Sequence, residues 1–454
     1  TPRGLDRPGP PRAIRTLDLH WPRLKDELMH ITTRGKLALL GGEPVRTRPW
    51  PDWPASGRQE ERRLLRVLRS GRWARDQGSE VELFERRFAG MHGCRHGIAL
   101  VSGMAALRVA LRAAGLEAGS EIILPAYSPV ALGAAVVELN LVPVFADVEP
   151  ASATVSLQQV EAVAGDRTRA VVALHLGGVP AEMGPLRERA AESGWLLIEC
   201  AEHAAGAQYQ GRPCGSWGDL AVFMFSGRTS LSAGDGGLVL TNHDTLAARA
   251  RALQNCTRSS AEVPDPPELL AGCEAMTEFQ AAILNGQLDR FESQAKRRDQ
   301  RSRYLAERLV QLPGLRPQER TAGCTRQGDG GFAIRVDPDD YGVSREALVP
   351  ALNAEGIPCS KGRVLLLPQL PPFRRRDLGP FLPGPLREGI STRGTFPQAQ
   401  KWSRQALWLE PRLLLADQRD LDDILRSLEK IHRQRQHLRE WMRQRATSGR
   451  SSPS

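Results

Sequence analysis

The sequence predicts an α/β protein whose main unit is a largely parallel β-sheet covered by helices on both faces, followed by a smaller α+β unit. Three observations predict it. Short, continuous apolar runs alternate with helical stretches of ten to fifteen residues, the pattern of strands buried on both faces. The chain has 454 residues, too many for one small module, with 41% apolar and 25% charged residues, which are ordinary globular values. Beyond Pro313 the order changes to strand, helix, strand, helix, which fits a second and smaller core.

Residues 1 to about 33 carry Pro and Arg without sustained periodicity and read as an extension. GGEPVRTRPWPDWP (41–54) holds four Pro and two Trp, an extended strap lying on a larger surface. Helical spacing follows over 60–70 and 80–91. The strand HGIAL (96–100) then runs into SGMAALRVALRAAGL, where Ser102 and Gly103 open a helix. Strand, tight turn and helix N-terminus collect an anionic group, because free N–H groups and the helix dipole converge there. EIILPA (121–126), a helix over 130–138, VPVFADV (142–148), RAVVALHL (169–176), a helix over 183–192, WLLIEC (195–200) and DLAVFMF (219–225) continue the series. Ligands of such sheets sit beyond the C-terminal strand ends. This directs attention to the loops 125–129, 175–180, 200–207 and 226–237. A long helix is expected from Met276 to about Leu309. The small unit ends in one long basic helix from Asp420 onward. The predicted division is an extension over 1–36, a large unit over 37–300 and a small unit over 301–454.

Lys and Arg number 62 against 52 acidic residues, a formal charge of +10. The excess is scattered Arg with a concentration over 432–450, and no basic stripe interleaved with aromatics occurs, so nucleic acid is not an expected partner. The seven Cys are widely spaced without a C-x-x-C pair, which argues against a zinc site or a disulfide framework. There is no apolar run of membrane-spanning length and no basic-then-apolar leader, so the expectation is a cytoplasmic protein without a membrane partner.

The residues resemble the DegT/DnrJ/EryC1/StrS family of pyridoxal-phosphate (PLP) aminotransferases, in particular the branch making aminocyclitols and 3-amino-5-hydroxybenzoate. The resemblance runs from about Gly41 to Leu415. It rests on the strap, SGMAAL, VPVFADVEP, ALHLGGVPAEM, LLIECAEHAAGA, AGDGG before a strand, and EFQAAILNGQLDRF, in that order. It implies the aspartate-aminotransferase-like fold (PLP fold type I), with a mainly parallel seven-stranded sheet in the large domain and a smaller C-terminal α+β domain.

The resemblance also implies a cofactor lysine shortly before the glycine turn. In MFSGRTSLSAGDGG the lysine position falls on Thr229, which cannot form an imine. Arg228 stays protonated, and Ser226 and Ser230 carry no amine. The six Lys are Lys25, Lys36, Lys296, Lys361, Lys401 and Lys430, of which Lys361 is the one that could reach the cleft as a relocated imine former. The family's Asp facing the pyridine nitrogen is replaced by Cys200, which cannot hold that nitrogen protonated. Its phosphate-binding Gly-Thr/Ser resembles Gly103-Met104, its stacking aromatic corresponds to Pro129, and its phosphate-contacting Ser to Met224. The Asn and Arg that help build the neighbouring subunit's site correspond to Cys273 and Ala275.

On that resemblance no cofactor is expected. The protein is expected to be a PLP-independent pseudoenzyme or auxiliary subunit of sugar or aminocyclitol-type secondary metabolism, paired with itself or with an intact relative. Two alternatives stay open. One is repurposed chemistry on a small polar biosynthetic substrate, with His203, Cys200, Glu199 and His175 as candidate catalytic groups. In this set His175 is read first as a hydrogen-bonded core histidine. The other is a PLP-dependent aminotransferase with a noncovalent or relocated-lysine site. Gly103, Met104, Pro129, Met224, Arg228 and Gly236 are the candidate ligand-binding residues, Arg228 as a bidentate anion contact and Gly236 for the close passage of backbone. No metal is expected.

Overall fold

The computed structural model describes residues 35–227, 229–255, 270–362, 364–390 and 395–448, with side chains up to residue 445. The extension expected over 1–36 lies almost wholly outside the described residues, and Arg228 lies outside them as well.

The large sheet has seven strands: β1 (His96–Leu100), β2 (Glu121–Pro125), β3 (Val142–Ala146), β4 (Thr168–Leu174), β5 (Leu196–Cys200), β6 (Leu220–Met224) and β7 (Gly237–Thr241). Their order is β1-β7-β6-β5-β4-β2-β3. The four pairings from β6 to β3 are parallel, and β7 runs antiparallel to both β6 and β1. Two rows of side chains explain the double cover. Ile98, Leu124, Val172, Ile198 and Val222 face one core, and Ile123, Val171 and Leu197 face another. Each strand is therefore apolar at nearly every position, and that is why continuous apolar runs mark it in the sequence.

Helices α1 (Arg58–Ser70) and α2 (Glu80–Met91) precede the sheet, and α3 (Gly103–Ala113), α4 (Val130–Glu138), α5 (Met183–Ser193) and α6 (Asp244–Gln254) interleave with it. The 32-residue α7 (Glu278–Leu309) starts with a capping box in which Thr277 and Gln280 satisfy each other's backbone N–H groups. It leads into a second sheet of β8 (Leu315–Pro317), β9 (Phe332–Val336), β10 (Cys359–Ser360) and β11 (Ala406–Leu409), ordered β8-β9-β11-β10. Helices α8 (Arg345–Ala354), α9 (Gln418–Arg433) and α10 (Arg435–Ser448) pack against it. The terminal helix expected as one piece is two, because Gln434 leaves the helical region as the C-cap of α9. Leu428, Ile431 and Leu438 are buried in the small core and seat this stretch on it.

The strap belongs to the small core. Leu37 and Trp50 are buried among its residues. Arg46 lies 3.9 Å over the Trp50 ring and places one nitrogen 2.7 Å from Asp420 and 2.9 Å from Asp423. Glu355 accepts the N–H groups of Ala38 and Val45 and pairs with Lys430 at 2.9 Å. Segments more than 300 residues apart are thereby pinned by buried charge.

Removing one partner of a buried ion pair leaves the other uncompensated. Arg46→Met is expected to cost about 3–5 kcal/mol in urea unfolding. Adding Asp423→Leu should return part of that loss, and a single variant as stable as the parent would show that the strap is not so held.

Candidate active site

The C-terminal ends of β2, β4, β5 and β6 and the start of α3 share one edge of the sheet, and the candidate residues gather there. At the end of β5, Glu199 is fully buried. One carboxylate oxygen accepts from Trp217 and Gly218 N–H, both at 2.7 Å. The other accepts from Gly215 N–H at 2.7 Å and from His175 Nε2 at 2.9 Å. His175, also fully buried, accepts the Ala181 N–H at Nδ1, which assigns its proton to Nε2. Burial alone would raise the Glu199 pKa; the His175 hydrogen bond and charge with the Gly215 and Gly218 N–H groups outweigh it and hold the group below the ordinary carboxylate value. Every lone pair of this carboxylate is spent, so Glu199 and His175 are a structural latch and not an acid–base pair facing substrate. Cys214 brings its sulfur within 4.8 Å of both ligand atoms, a metal-like cluster. Burial pushes its thiol pKa well up, and neither neighbour keeps a free lone pair for an ion.

Cys200 follows on the same strand. Backbone bonds on either side fix it: Ala201 N–H, the next residue, donates to Val222 O at 2.8 Å, and His175 N–H from the neighbouring strand donates to Cys200 O at 3.1 Å. Burial drives the thiol pKa far above its usual range, and the sulfur faces the Glu202 backbone. His203 turns instead to the Glu202 carboxylate, with Nε2 3.1 Å from Oε1. The two side chains thus have separate partners, Cys200 buried at the strand end and His203 paired with Glu202. Burial would lower the His203 pKa, but Glu202 and then Asp329 more than reverse this, so the ring favours its charged form.

The helix start is formed as its sequence implies. Ser102 caps α3 by accepting the Ala105 N–H, and first-turn N–H groups of a helix have no intrahelical acceptor. Gly103 is needed for space: a Cβ there would stand 2.5 Å from Met224 Cγ. Met224 thus lies over the first residue of α3, and Met104 packs beside the same core. Pro129 is the N-cap residue of α4 with extended backbone.

The described residues of the loop after β6 are tied to several other segments. Thr229 is buried, and its hydroxyl is shared between the carbonyls of Ser226 (2.9 Å) and Leu231 (2.7 Å). Ser230 N–H donates to Asp329 at 3.0 Å, and its hydroxyl donates to the same oxygen. Ser232 and Gln287 exchange two hydrogen bonds at 2.8 and 2.7 Å. Gly236 O accepts from Phe225 N–H at 2.8 Å and closes the turn before β7. Sequence reasoning passed over Asp329 and Arg298. Asp329 is buried, accepts the two bonds from Ser230 and donates its own N–H to the His203 carbonyl at 3.0 Å. The Arg298 guanidinium is buried nearby, over Trp53. The signal was GDGG at 328–331, a second glycine cluster: a Cβ at Gly330 would run into His203. Lys361, the relocated-lysine candidate, is half exposed and lies 4.0 Å from Glu346 on α8.

The chain matches known proteins along most of its length. The profile of the DegT/DnrJ/EryC1/StrS aminotransferase family matches residues 54–429. The chain belongs to that family. An L-glutamine:2-deoxy-scyllo-inosose aminotransferase of Streptoalloteichus tenebrarius is 34% identical over 89% of this chain and 99% of its own. The Streptomyces fradiae enzyme of the same name is 35% identical over 87% and 97%. Among solved structures, 3-amino-5-hydroxybenzoic acid synthase superposes with a TM-score of 0.76 at 27% identity, covering 85% of this chain and 98% of that one. DesI with its TDP-sugar product gives 0.75 at 28%, covering 91% and 100%. The PLP-type aminotransferase fold and the seven-stranded, mainly parallel sheet are as the resemblance implied.

These relatives overturn two expectations, that the protein is a pseudoenzyme and that no cofactor is used. Full-length relatives carry aminotransferase names, so missing side chains were too little to infer a missing reaction. The side chains themselves remain as described, and they do not fit a covalently tethered PLP: Thr229 offers a hydroxyl already bonded within its own loop. Among the described residues no lysine has been brought to that position.

Two outcomes follow. Glu199→Gln is expected to cost about 3 kcal/mol at neutral pH. Because the folded-state pKa is depressed, the parent's latch is intact above the ordinary value of 4.5 and is lost as pH falls through the lower folded value. Urea midpoints across acid pH should therefore fall more steeply for the parent than for the variant, and parallel curves would refute the latch. Cys200 is expected to resist alkylation in the native protein at mildly alkaline pH while the exposed Cys273 reacts, as read by peptide mass spectrometry.

Proposed function

We propose that this protein is an amino-group transferase acting on the ketone of a polyhydroxylated ring, a cyclitol of the 2-deoxy-scyllo-inosose class, with L-glutamine as donor and PLP as cofactor. The carrying observation is the end-to-end match, at 34% and 35% identity, with two aminotransferases of that name. The sheet edge supports it. The capped start of α3 keeps N–H groups suited to a phosphate, and the Glu199 latch and the Ser230–Asp329 anchor hold the surrounding loops in fixed shape. Bound PLP would supply the electron sink for the transfer, and its anchorage is the point at which this chain departs from the family. His203, charged and held by Glu202, is the proposed proton donor at the cleft. Met224, Met104 and Pro129 shape an apolar wall, and Gly103 and Gly236 allow close approach of backbone.

We further propose that the working unit is a dimer of identical chains, formed on the side bearing the exposed Leu65, Leu68 and Trp73. No helix among the described residues is long and apolar enough to cross a membrane.

The test is a reaction of the purified protein with PLP, L-glutamine and 2-deoxy-scyllo-inosose, with the aminated cyclitol detected by mass spectrometry. Turnover is expected, falling at least tenfold in His203→Ala. A folded, PLP-binding protein that yields no amine from this ketone would overturn the reading.

A further inference from the structure

The position at which the resemblance places an amine lies in a loop bonded to several other segments. Here residues 229–236 keep bonds to three other segments: Ser230 to Asp329, Ser232 to Gln287 of α7, and Gly236 to Phe225. Thr229 sits at the centre with its hydroxyl turned back onto the loop carbonyls. A lysine there would hold the aldehyde form of the cofactor through a bond that the amine form cannot make. A threonine removes that preference and leaves only contacts common to both forms: helix N–H groups for the phosphate and side-chain walls for the ring.

We infer that this chain holds its cofactor without a covalent bond and binds the aldehyde form, PLP, and the amine form, pyridoxamine phosphate, with similar affinity, as an exchangeable partner. The inference rests on the functional reading above for the identity of the cofactor, and concerns how it is held. Two further observations point the same way. Lys361 is drawn off toward Glu346, and Lys296 and Lys430 are engaged with Glu292 and Glu355. Cys200, buried and protonated, presents no carboxylate to grip the ring nitrogen, so no strong ionic contact replaces the missing bond.

The experiment uses the full chain and has readouts other than turnover. Equilibrium dialysis with PLP and with pyridoxamine phosphate is expected to show saturable binding of both, with dissociation constants within about tenfold of each other, a difference under 1.4 kcal/mol. Borohydride treatment of the PLP-loaded protein should leave every lysine unmodified by peptide mass spectrometry, and exhaustive dialysis should remove the cofactor. Thr229→Lys should retain PLP through dialysis and acquire a borohydride-fixed pyridoxyl group at residue 229, with pyridoxamine phosphate binding unchanged. A fixed pyridoxyl group on any lysine of the parent overturns the inference, as does the absence of saturable binding of either form. A Thr229→Lys protein that binds PLP yet is not fixed by borohydride overturns the assignment of position 229. These failures are separable from that of the functional reading: a protein fixed at a lysine can still transaminate the cyclitol, and one that binds both forms reversibly can fail to.

Discussion

The site depends on one buried carboxylate. Glu199 stands at the end of the strand in the middle of the large sheet and receives four N–H groups, one from the His175 imidazole and three from backbone of the 215–218 turn. An unpaired charge at that depth would cost several kcal/mol, so the sequence around it must supply donors, and it does so from two directions. One consequence is that the ends of β4 and β5 and the entry to β6 have a fixed relation. Another is that Cys200, the residue after Glu199, is held at the sheet edge by backbone bonds on both sides. The resemblance places an aspartate at this position.

The same separation between frame and chemistry runs through the loop after β6. Its bonds to other segments, through Asp329, Gln287 and Phe225–Gly236, do not involve the side chain of residue 229, whose hydroxyl bonds only carbonyls of the loop itself. Asp329 comes from the segment leading into β9 and Ser230 from the loop after β6, so this bond ties loops of the two sheets together. Arg298, buried on α7 beside Trp53 of the strap, offsets the charge of Asp329 at longer range. Burial raises the Asp329 pKa, and the Ser230 bonds and Arg298 only partly counter it. Its local donors and the nearby cation thus offset only part of the cost of burying this carboxyl group.

Much of this was legible in the sequence for an identifiable reason. Strands covered on both faces must be apolar at every position, so HGIAL, EIILP and LLIEC announced themselves, and the glycine turn announced the loop. Contacts between distant segments were not legible. Ser230 and Asp329 are 99 residues apart, and Arg46 and Asp423 are 377 apart. Nothing in local periodicity pairs such residues. The strap was readable as extended from its prolines, yet its membership of the small core depends on Trp50 and Arg46 finding Gly356 and α9. The break at Gln434 was hidden because RSLEKIHRQRQHLREWMRQR contains no glycine or proline to mark it.

Reading chemistry from missing side chains is the step where the sequence misled, and the physical reason is instructive. Thr229, Cys200, Met104, Met224 and Pro129 each remove one contact from an aminotransferase pocket, and their joint loss suggested that the cofactor had gone too. Affinity for a phosphorylated ring is not the sum of those side chains. It also resides in backbone N–H groups at a helix start and in the enclosure formed by rigid loops, and substitution of side chains leaves both in place. What a threonine at residue 229 would remove, if the resemblance places the family lysine there, is a covalent bond. That bond would govern whether the cofactor stays and in which form it is preferred, whereas the loops that Glu199 and Asp329 hold keep their bonds without it.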